Sequence, residues 1–464
     1  MMTINQEIFR TYDIRGVAET DLTDEVVEHI GRAYGTLLPD AARTIALSMD
    51  CRTSSLRIKQ AFERGVCATG KDVIDYGEIP TPLLYFAVHR NDLDGGIQIT
   101  GSHNPKQYNG MKLLVGKETI FGDDIKNLSA LIAAGNYRTG KGNSHSGEIL
   151  SDYLQYILQR VNIGGKRLRI VFDSGNGTSG PVVRRLFTRI PCTFDILYEE
   201  PDGTFPNHLA DPTVPEFLSD LIRAVKSTGA DIGIGFDGDS DRIGAIDETG
   251  RIIWGDKLLA IFAKGVLQRS PGAKIICEVK CSNGLLEYVK GHGGTPLMWK
   301  TGHSLIKAKM KEEGAPLAGE MSGHMFFADN YFGFDDAIFA ALRLVEILSN
   351  TASPLSALAD EIPSYFSTPE IRIACPDSEK FTLVQQVKEE FKKTHPVIDI
   401  DGVRVNFPDG WGLLRASNTQ PVLVLRFEAN TAQSLRSVAE EFRQILSSYD
   451  FIDIDQLKLP SGTP

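Results

Sequence analysis

The chain has 464 residues, is 42% hydrophobic and carries a formal net charge of −11. That length holds about three or four domains of ~100–150 residues each. No run of ~18 apolar residues occurs, which excludes a spanning helix, and Lys and Arg form no long run, which argues against duplex nucleic acid as a partner.

The first residues lack a basic-then-apolar signal pattern, so the expected location is the cytoplasm. The six cysteines, Cys51, Cys67, Cys192, Cys277, Cys281 and Cys375, form no C-x-x-C pair. Zinc lacks its usual spacing here, and buried free thiols are expected.

In chain order, Phe9-Arg10-Thr11-Tyr12-Asp13-Ile14-Arg15-Gly16 comes first. This dense polar segment reads equally as a solvated arm or as part of a site. From residue 43 strands and helices alternate: a strand over 44–49, an amphipathic helix over 55–69, a strand over 73–76, a short helix over 82–89 and a buried strand over 95–99. Such a βαβ rhythm predicts a mostly parallel sheet covered by helices.

Thr100-Gly101-Ser102-His103-Asn104-Pro105 follows. Pro105 cannot continue a ladder, so the chain turns there. A serine hydroxyl and an imidazole are left at the C-terminal edge of a strand, where open α/β sheets bind ligands. Residues 108–113 read as a turn entering a further strand, which brings Lys112 close to the serine loop. The stretch 135–147, rich in Gly, Ser, Asn and Thr, marks a first boundary.

A second block repeats the rhythm, with strands over 168–173, 194–198 and 231–236 and helices over 181–188 and 216–227. Its loop Gly175-Asn176-Gly177-Thr178-Ser179-Gly180 is neither a Walker motif nor G-x-G-x-x-G. A tight turn with close packing is the favoured reading. The third strand ends in Asp237-Gly238-Asp239-Ser240-Asp241-Arg242. Carboxylates at alternate positions supply hard oxygen ligands suited to Mg²⁺ or Ca²⁺. An EF-hand is rejected, although Glu248 stands at the twelfth position. Arg242 occupies the place of the required glycine, and the flanks read as strands.

A third block has a helix over 256–267 and strands over 274–280, 295–299 and 316–324. These deliver Lys280, Lys300-Thr301-Gly302-His303 and Glu320-Met321-Ser322-Gly323-His324 to strand ends. Glu, Ser and His among glycines suit a sugar, whose hydroxyls both donate and accept hydrogen bonds. Beyond residue 365 short strands and helices over 381–394 and 432–447 suggest a smaller α+β domain. There Arg415-Ala416-Ser417-Asn418-Thr419-Gln420-Pro421 offers a guanidinium, hydroxyls, an amide and backbone N–H groups, the makings of a phosphate cradle.

Together these segments resemble the α-D-phosphohexomutase family, and most closely its phosphomannomutase/phosphoglucomutase branch. Four signatures stand in the family's order: the phosphoserine loop at 100–105, the metal loop at 237–242, the sugar loop at 319–324 and the phosphate loop at 415–421. Tyr12-Asp13-Ile14-Arg15-Gly16 and Lys300-Thr301-Gly302-His303 match as well. Gly101 stands where the family usually has alanine, and is expected to loosen the loop without changing the chemistry.

The resemblance implies three related α/β domains with mixed sheets (1–145, 146–255, 256–365) and a smaller C-terminal α+β domain (366–464) around a central cleft. It implies that Ser102 carries a phosphoryl group and that Asp237, Asp239 and Asp241, with a phosphoserine oxygen, hold Mg²⁺. A hexose 1- or 6-phosphate would be converted through a hexose 1,6-bisphosphate that turns over in the cleft. Arg15, Lys112 and Arg242 would surround the phosphoserine beside His103, with Lys112 a candidate general base. His324 would be an acid or base on the sugar side.

Tyr12 would border the substrate, Glu320 and Ser322 would bind sugar hydroxyls, and Lys280 and His303 would contact sugar or phosphate. Arg415, Ser417, Asn418 and Thr419 would clamp the phosphate that is not reacting. Met321 resembles enzymes taking both mannose and glucose phosphates, whereas glutamine there would suggest glucosamine. The alternatives are a phosphoglucosamine mutase, a phosphomonoesterase and a non-catalytic sugar-phosphate binder. The expected partners are small phosphosugars, with no nucleic acid or membrane, for a monomer or weak dimer.

Overall fold

The computed structural model describes residues 4–417 and 420–458. Asn418 and Thr419 lie outside the described residues. Four sheets follow one another along the chain.

In the first, the apolar runs Thr44–Met49 and Gly95–Ile99 lie side by side and parallel, with Asp72–Glu78 on the outer flank of the former. All five residues of Gly95–Ile99 are buried, as helix-covered parallel strands require. The next strand, Tyr108–Val115, runs antiparallel to it, from Gly95 opposite Val115 to Ile99 opposite Met111. The sheet is therefore mixed, and the serine loop is the connection at its change of direction. Ile14–Val17 pairs antiparallel with Tyr108–Val115 as the edge strand. The polar N-terminal segment is thus part of the sheet and not a solvated arm.

The second sheet places Arg169–Asp173 between Thr193–Leu197 and Ile232–Phe236, all parallel. Ile232–Phe236 then turns back through the acidic loop into Ile243–Asp247, antiparallel to it. Strands flank that loop on both sides, as its rejection as an EF-hand requires. In the third sheet Lys274–Glu278 lies between Thr295–Trp299 and Leu317–Gly319. The expected strand over 316–324 stops at Gly319. Residues 320–324 form a turn, and Met325–Phe327 returns antiparallel. The fourth sheet is antiparallel, built on Gly410–Ala416 and Val422–Ala429 and covered by Lys380–Phe391 and Ala432–Leu446.

One continuous apolar core runs through the first three units. It includes Leu83 and Phe86 from the first, Phe172 and Phe236 from the second, and Leu259, Phe327 and Phe339 from the third. The fourth unit has its own core. It docks on the third through buried polar contacts: Arg404 donates to the carbonyls of Val279 and Cys281 at 2.7 and 2.8 Å and lies over the Trp411 ring at 3.6 Å.

Candidate active site

Ser102 sits in the loop between Gly95–Ile99 and Tyr108–Val115 with φ +48°, a left-handed conformation that costs a non-glycine residue about 1–3 kcal/mol. Its N–H donates to Thr100 Oγ1 at 2.8 Å. Its Oγ donates to Asp237 Oδ2 at 2.8 Å and lies 3.0 Å from His103 Nδ1. Burial and the neighbouring Arg242 and Arg15 charges hold the His103 imidazole neutral, well below its usual range. Arg15 donates to Asp13 at 2.6 Å and to the Asn104 side chain at 3.1 Å, which ties the edge strand to the loop.

The acidic loop crosses directly beneath. Its fit depends on Gly238, where a Cβ would stand 2.6 Å from the Ser102 carbonyl oxygen. The Gly175–Gly180 stretch packs on the other side: Thr178 N–H donates to the Gly238 carbonyl at 3.1 Å, and Gly175 and Asn176 both take positive φ. That stretch is a close-packed turn, in keeping with its structural reading.

Asp237, Asp239 and Asp241 are fully buried, and one oxygen from each lies within 4.8 Å of the others. Burial, and then the charges of Asp241 and Asp239, push the Asp237 carboxyl well above the usual range. Asp239 Oδ1 and Asp241 Oδ1 have no hydrogen-bond partner among the described residues. Buried oxygens without donors and a carboxylate under like-charge repulsion suit a hard cation, so these residues fit Mg²⁺. The opposite oxygens are engaged. Lys112 Nζ donates to Asp239 at 2.6 Å and also to Asp241, and Thr81 donates to Asp239. Burial alone would lower the Lys112 pKa, but the two carboxylates hold it well above the usual range. Lys112 is here a cation donating to carboxylates.

Across the cleft, the turn 320–324 is stitched to the acidic loop, with Ile243 N–H donating to the Gly323 carbonyl at 3.1 Å. Arg242 Nε donates to His324 Nε2 at 3.0 Å. That contact assigns the His324 proton to Nδ1, which lies 3.0 Å from Asp335 Oδ2. Asp335 also accepts from Lys307 at 3.1 Å, and His303 Nδ1 lies 3.8 Å away. Burial would raise the Asp335 carboxyl, but the Lys307 charge beside it overrides this and holds it well below the usual range. Asp335 is thus an anion set beside two imidazoles. Glu320 accepts from Gly302 N–H at 2.6 Å and from Ser322 Oγ at 3.1 Å, and so fixes its own loop against the start of the helix His303–Glu313.

On the fourth side Arg415 Nε donates to Asp401 at 3.0 Å, and Asp401 also accepts from Thr301 N–H at 3.1 Å. Lys280 pairs with Glu370 at 3.0 Å, and Glu370 continues to Arg372 at 2.9 Å. Tyr12 OH donates to the Thr301 carbonyl at 2.7 Å, linking the first unit to the third.

These contacts surround one cavity of about 740 Å³. Tyr12, Arg15, Ser102, His103 and Lys112 border it from the first unit and Arg242 from the second. Lys280, His303, Glu320, Ser322 and His324 border it from the third, and Arg415 and Ser417 from the fourth. The three aspartates are buried behind Ser102, Asp237 in contact with its hydroxyl. Sequence reasoning missed Asp50, Arg52, Asp335, Glu370 and Asp401. A signal was available only for Asp50-Cys51-Arg52, which directly follows a recognised strand as the serine loop does.

Four descriptions of phosphoglucomutase/phosphomannomutase domains match the chain in order: alpha/beta/alpha domain I over residues 6–138, domain II over 151–250, domain III over 254–366 and the C-terminal domain over 370–445. A phosphomannomutase/phosphoglucomutase of Pseudomonas aeruginosa is 44% identical over 450 residues, 97% of each chain. A phosphoglucomutase of Neisseria meningitidis is 41% identical over 454 residues, covering 97% of this chain and 98% of the relative. The crystal structure of a phosphoglucomutase/phosphomannomutase family protein from Burkholderia thailandensis superposes with a TM-score of 0.90 at 42% identity, over 96% of this chain and 98% of that one. The fold and the relatives define an enzyme of the isomerase class. The chain belongs to the phosphoglucomutase/phosphomannomutase family, the α-D-phosphohexomutases.

Proposed function

We propose that the enzyme interconverts the 1- and 6-phosphates of mannose and glucose by way of a phosphoryl group carried on Ser102. The observation that carries this reading is the 2.8 Å contact between Ser102 Oγ and Asp237 at the border of a cleft ringed by cations. The names of the relatives support the substrates: some are named for both sugars and others for glucose alone.

Asp237, Asp239 and Asp241 would hold Mg²⁺ with a phosphoserine oxygen. The ion would offset charge on the moving phosphoryl group. Arg15, Lys112 and Arg242 bring fixed positive charge around the same group, and His103 donates or accepts at Oγ as its proton allows. His324 stands on the sugar side as the acid or base, and it would take a proton at Nε2 only once Arg242 has released that nitrogen, with the Asp335 charge 3.0 Å from Nδ1. Once the phosphoryl group has left, Ser102 Oγ resumes its hydrogen bond to Asp237.

Glu320 and Ser322 present oxygens to the sugar hydroxyls. Arg415, Ser417, Asn418 and Thr419 clamp the second phosphate, with Lys280 and His303 between the two ends. A hexose 1,6-bisphosphate formed in the first transfer turns over and returns its other phosphate to Ser102. At 3% exposure Ser102 is closed to bulk water, which favours transfer over the hydrolysis of a phosphomonoesterase.

The units at 1–145, 146–255, 256–365 and 366–464 would each contribute one side of the site, in a monomer or weak dimer. No helix among the described residues is long and apolar enough to cross a membrane, and all six cysteines are free thiols, as the cytoplasm would keep them. A coupled assay for the 6-phosphate, started from mannose, glucose and glucosamine 1-phosphates, tests the reading. Turnover of the first two and little of the third is expected. Preference for glucosamine would reassign the substrate, and turnover of none would leave a binding protein.

A further inference from the structure

We propose that Arg52, with Asp50, is a positioning residue that holds Ser102 in its reactive geometry. The proposal rests on the reading that Ser102 carries the phosphoryl group. Arg52 is 3% exposed and does not border the cavity. Its guanidinium reaches the serine loop from behind. Nη1 donates to the carbonyls of Pro105 and Tyr108, both at 2.9 Å, and Nη2 to those of Ser102 at 2.8 Å and Asn104 at 2.6 Å. Asp50 takes the loop's donors: its Oδ2 accepts from Thr100 Oγ1 at 2.8 Å and Gly101 N–H at 3.1 Å, and lies 3.2 Å from Arg52 Nε. One buried ion pair thereby satisfies both the acceptors and the donors of the loop.

Ser102 needs such a hold, because its φ of +48° relaxes unless the surroundings dictate it. Four carbonyls drawn to one planar fork dictate it. An ammonium has the charge but not the fixed fork. The absence of a side chain at residue 101 belongs to the same device. A Cβ on Gly101 would stand 2.5 Å from Arg52 Nε and 2.6 Å from its Cζ. In this chain the space beside Gly101 is taken by the Arg52 side chain. The far face of the guanidinium lies 5.2 Å from the ring centroid of Phe205, itself at φ +48°, so the second unit closes the clamp from outside.

A displacement of about 1 Å at a reacting atom can cost ~10²-fold in rate. Arg52→Lys should therefore slow phosphoryl transfer from Ser102 by about a hundredfold, while KM for the hexose phosphate stays within about threefold, because no cavity residue is altered. Asp50→Asn, which removes the charge from the other half of the ion pair, should give the same split. The test loads parent and variants with hexose 1,6-bisphosphate, maps the phosphopeptide, and measures single-turnover transfer to hexose 1-phosphate together with steady-state KM. A large fall in the transfer rate at constant KM in either variant supports the role. Transfer within threefold of the parent, or a KM that rises in step with the loss, overturns it. If Arg52→Lys does not fold, Asp50→Asn decides alone by the same criteria. Phosphate found on another residue of the parent overturns the Ser102 reading itself, and the proposal with it.

Discussion

Arg415 shows how a single residue can serve both directions of the reaction. It is buried, and Asp401 offsets its charge from behind. If the bisphosphate turns over, the same guanidinium meets the 6-phosphate in one half-reaction and the 1-phosphate in the other. Arg415→Ala removes a charge-assisted contact worth ~1.5–3 kcal/mol. The expected loss in kcat/KM is roughly ten- to a hundredfold, similar for either starting substrate. Lysine should restore only part of it. Kinetics in both directions checks this, and a defect in one direction alone would contradict a shared clamp. Arg415 was legible because guanidinium, hydroxyl and amide are packed into one short turn. Asp335 was not. It lies in a loop without periodicity, and its role exists only because the fold brings His303, Lys307 and His324 to it.

Elements were legible where their pattern was local. Gly95–Ile99 and Ile232–Phe236 are short apolar runs ended by turn residues, and both became buried strands carrying site loops. The helix Ala337–Ser349 was hidden for the opposite reason: it is buried on nearly every side, so no polar face gives it a period. The helix Asp24–Leu37 has a Thr23 cap, but Gly31 and Gly35 weaken its pattern.

The helix Thr81–Arg90 carries a pH prediction. Near its end His89 packs at a tilt against Phe332 and Phe334 of the third unit, with centroids 4.9 and 5.4 Å away. Burial, then the Lys117 charge, lowers its pKa to about 4. The unfolded chain, near 6.5, binds the proton more readily, so stability is fully present above about pH 6.5 and falls as the pH drops towards 4, by at most about 3 kcal/mol. His89→Phe keeps the packing and removes the titration. Denaturant midpoints at pH 7 and 4.5 should therefore differ less in the variant than in the parent, and parallel shifts would contradict the assignment.

At the scale of the whole molecule, three units share a core and the fourth is attached by buried polar contacts and a small apolar cluster of Val279, Trp411 and Leu413, so the cleft is only as well formed as that attachment. Burial lowers the Arg404 pKa to about 10, which leaves it a cation at neutral pH, and its fork also reaches Asn283 Oδ1 at 2.7 Å. Arg404→Met leaves three acceptors without their donor, each at a cost of about 1–3 kcal/mol. The fourth unit should then become susceptible to proteolysis at its junction with the third while the first three stay intact, and activity should fall with the loss of the Arg415 side. Unchanged cleavage and turnover would show that the dock rests elsewhere. The most direct test of the account as a whole follows the phosphoryl group itself. The active enzyme is loaded with isotopically labelled hexose 1,6-bisphosphate, cleaved, and its phosphopeptides are mapped before and after a chase with unlabelled hexose 1-phosphate. Label on Ser102 alone, discharged into hexose phosphate by the chase, is the predicted result; label on another residue, or label that survives the chase while turnover proceeds, would contradict it.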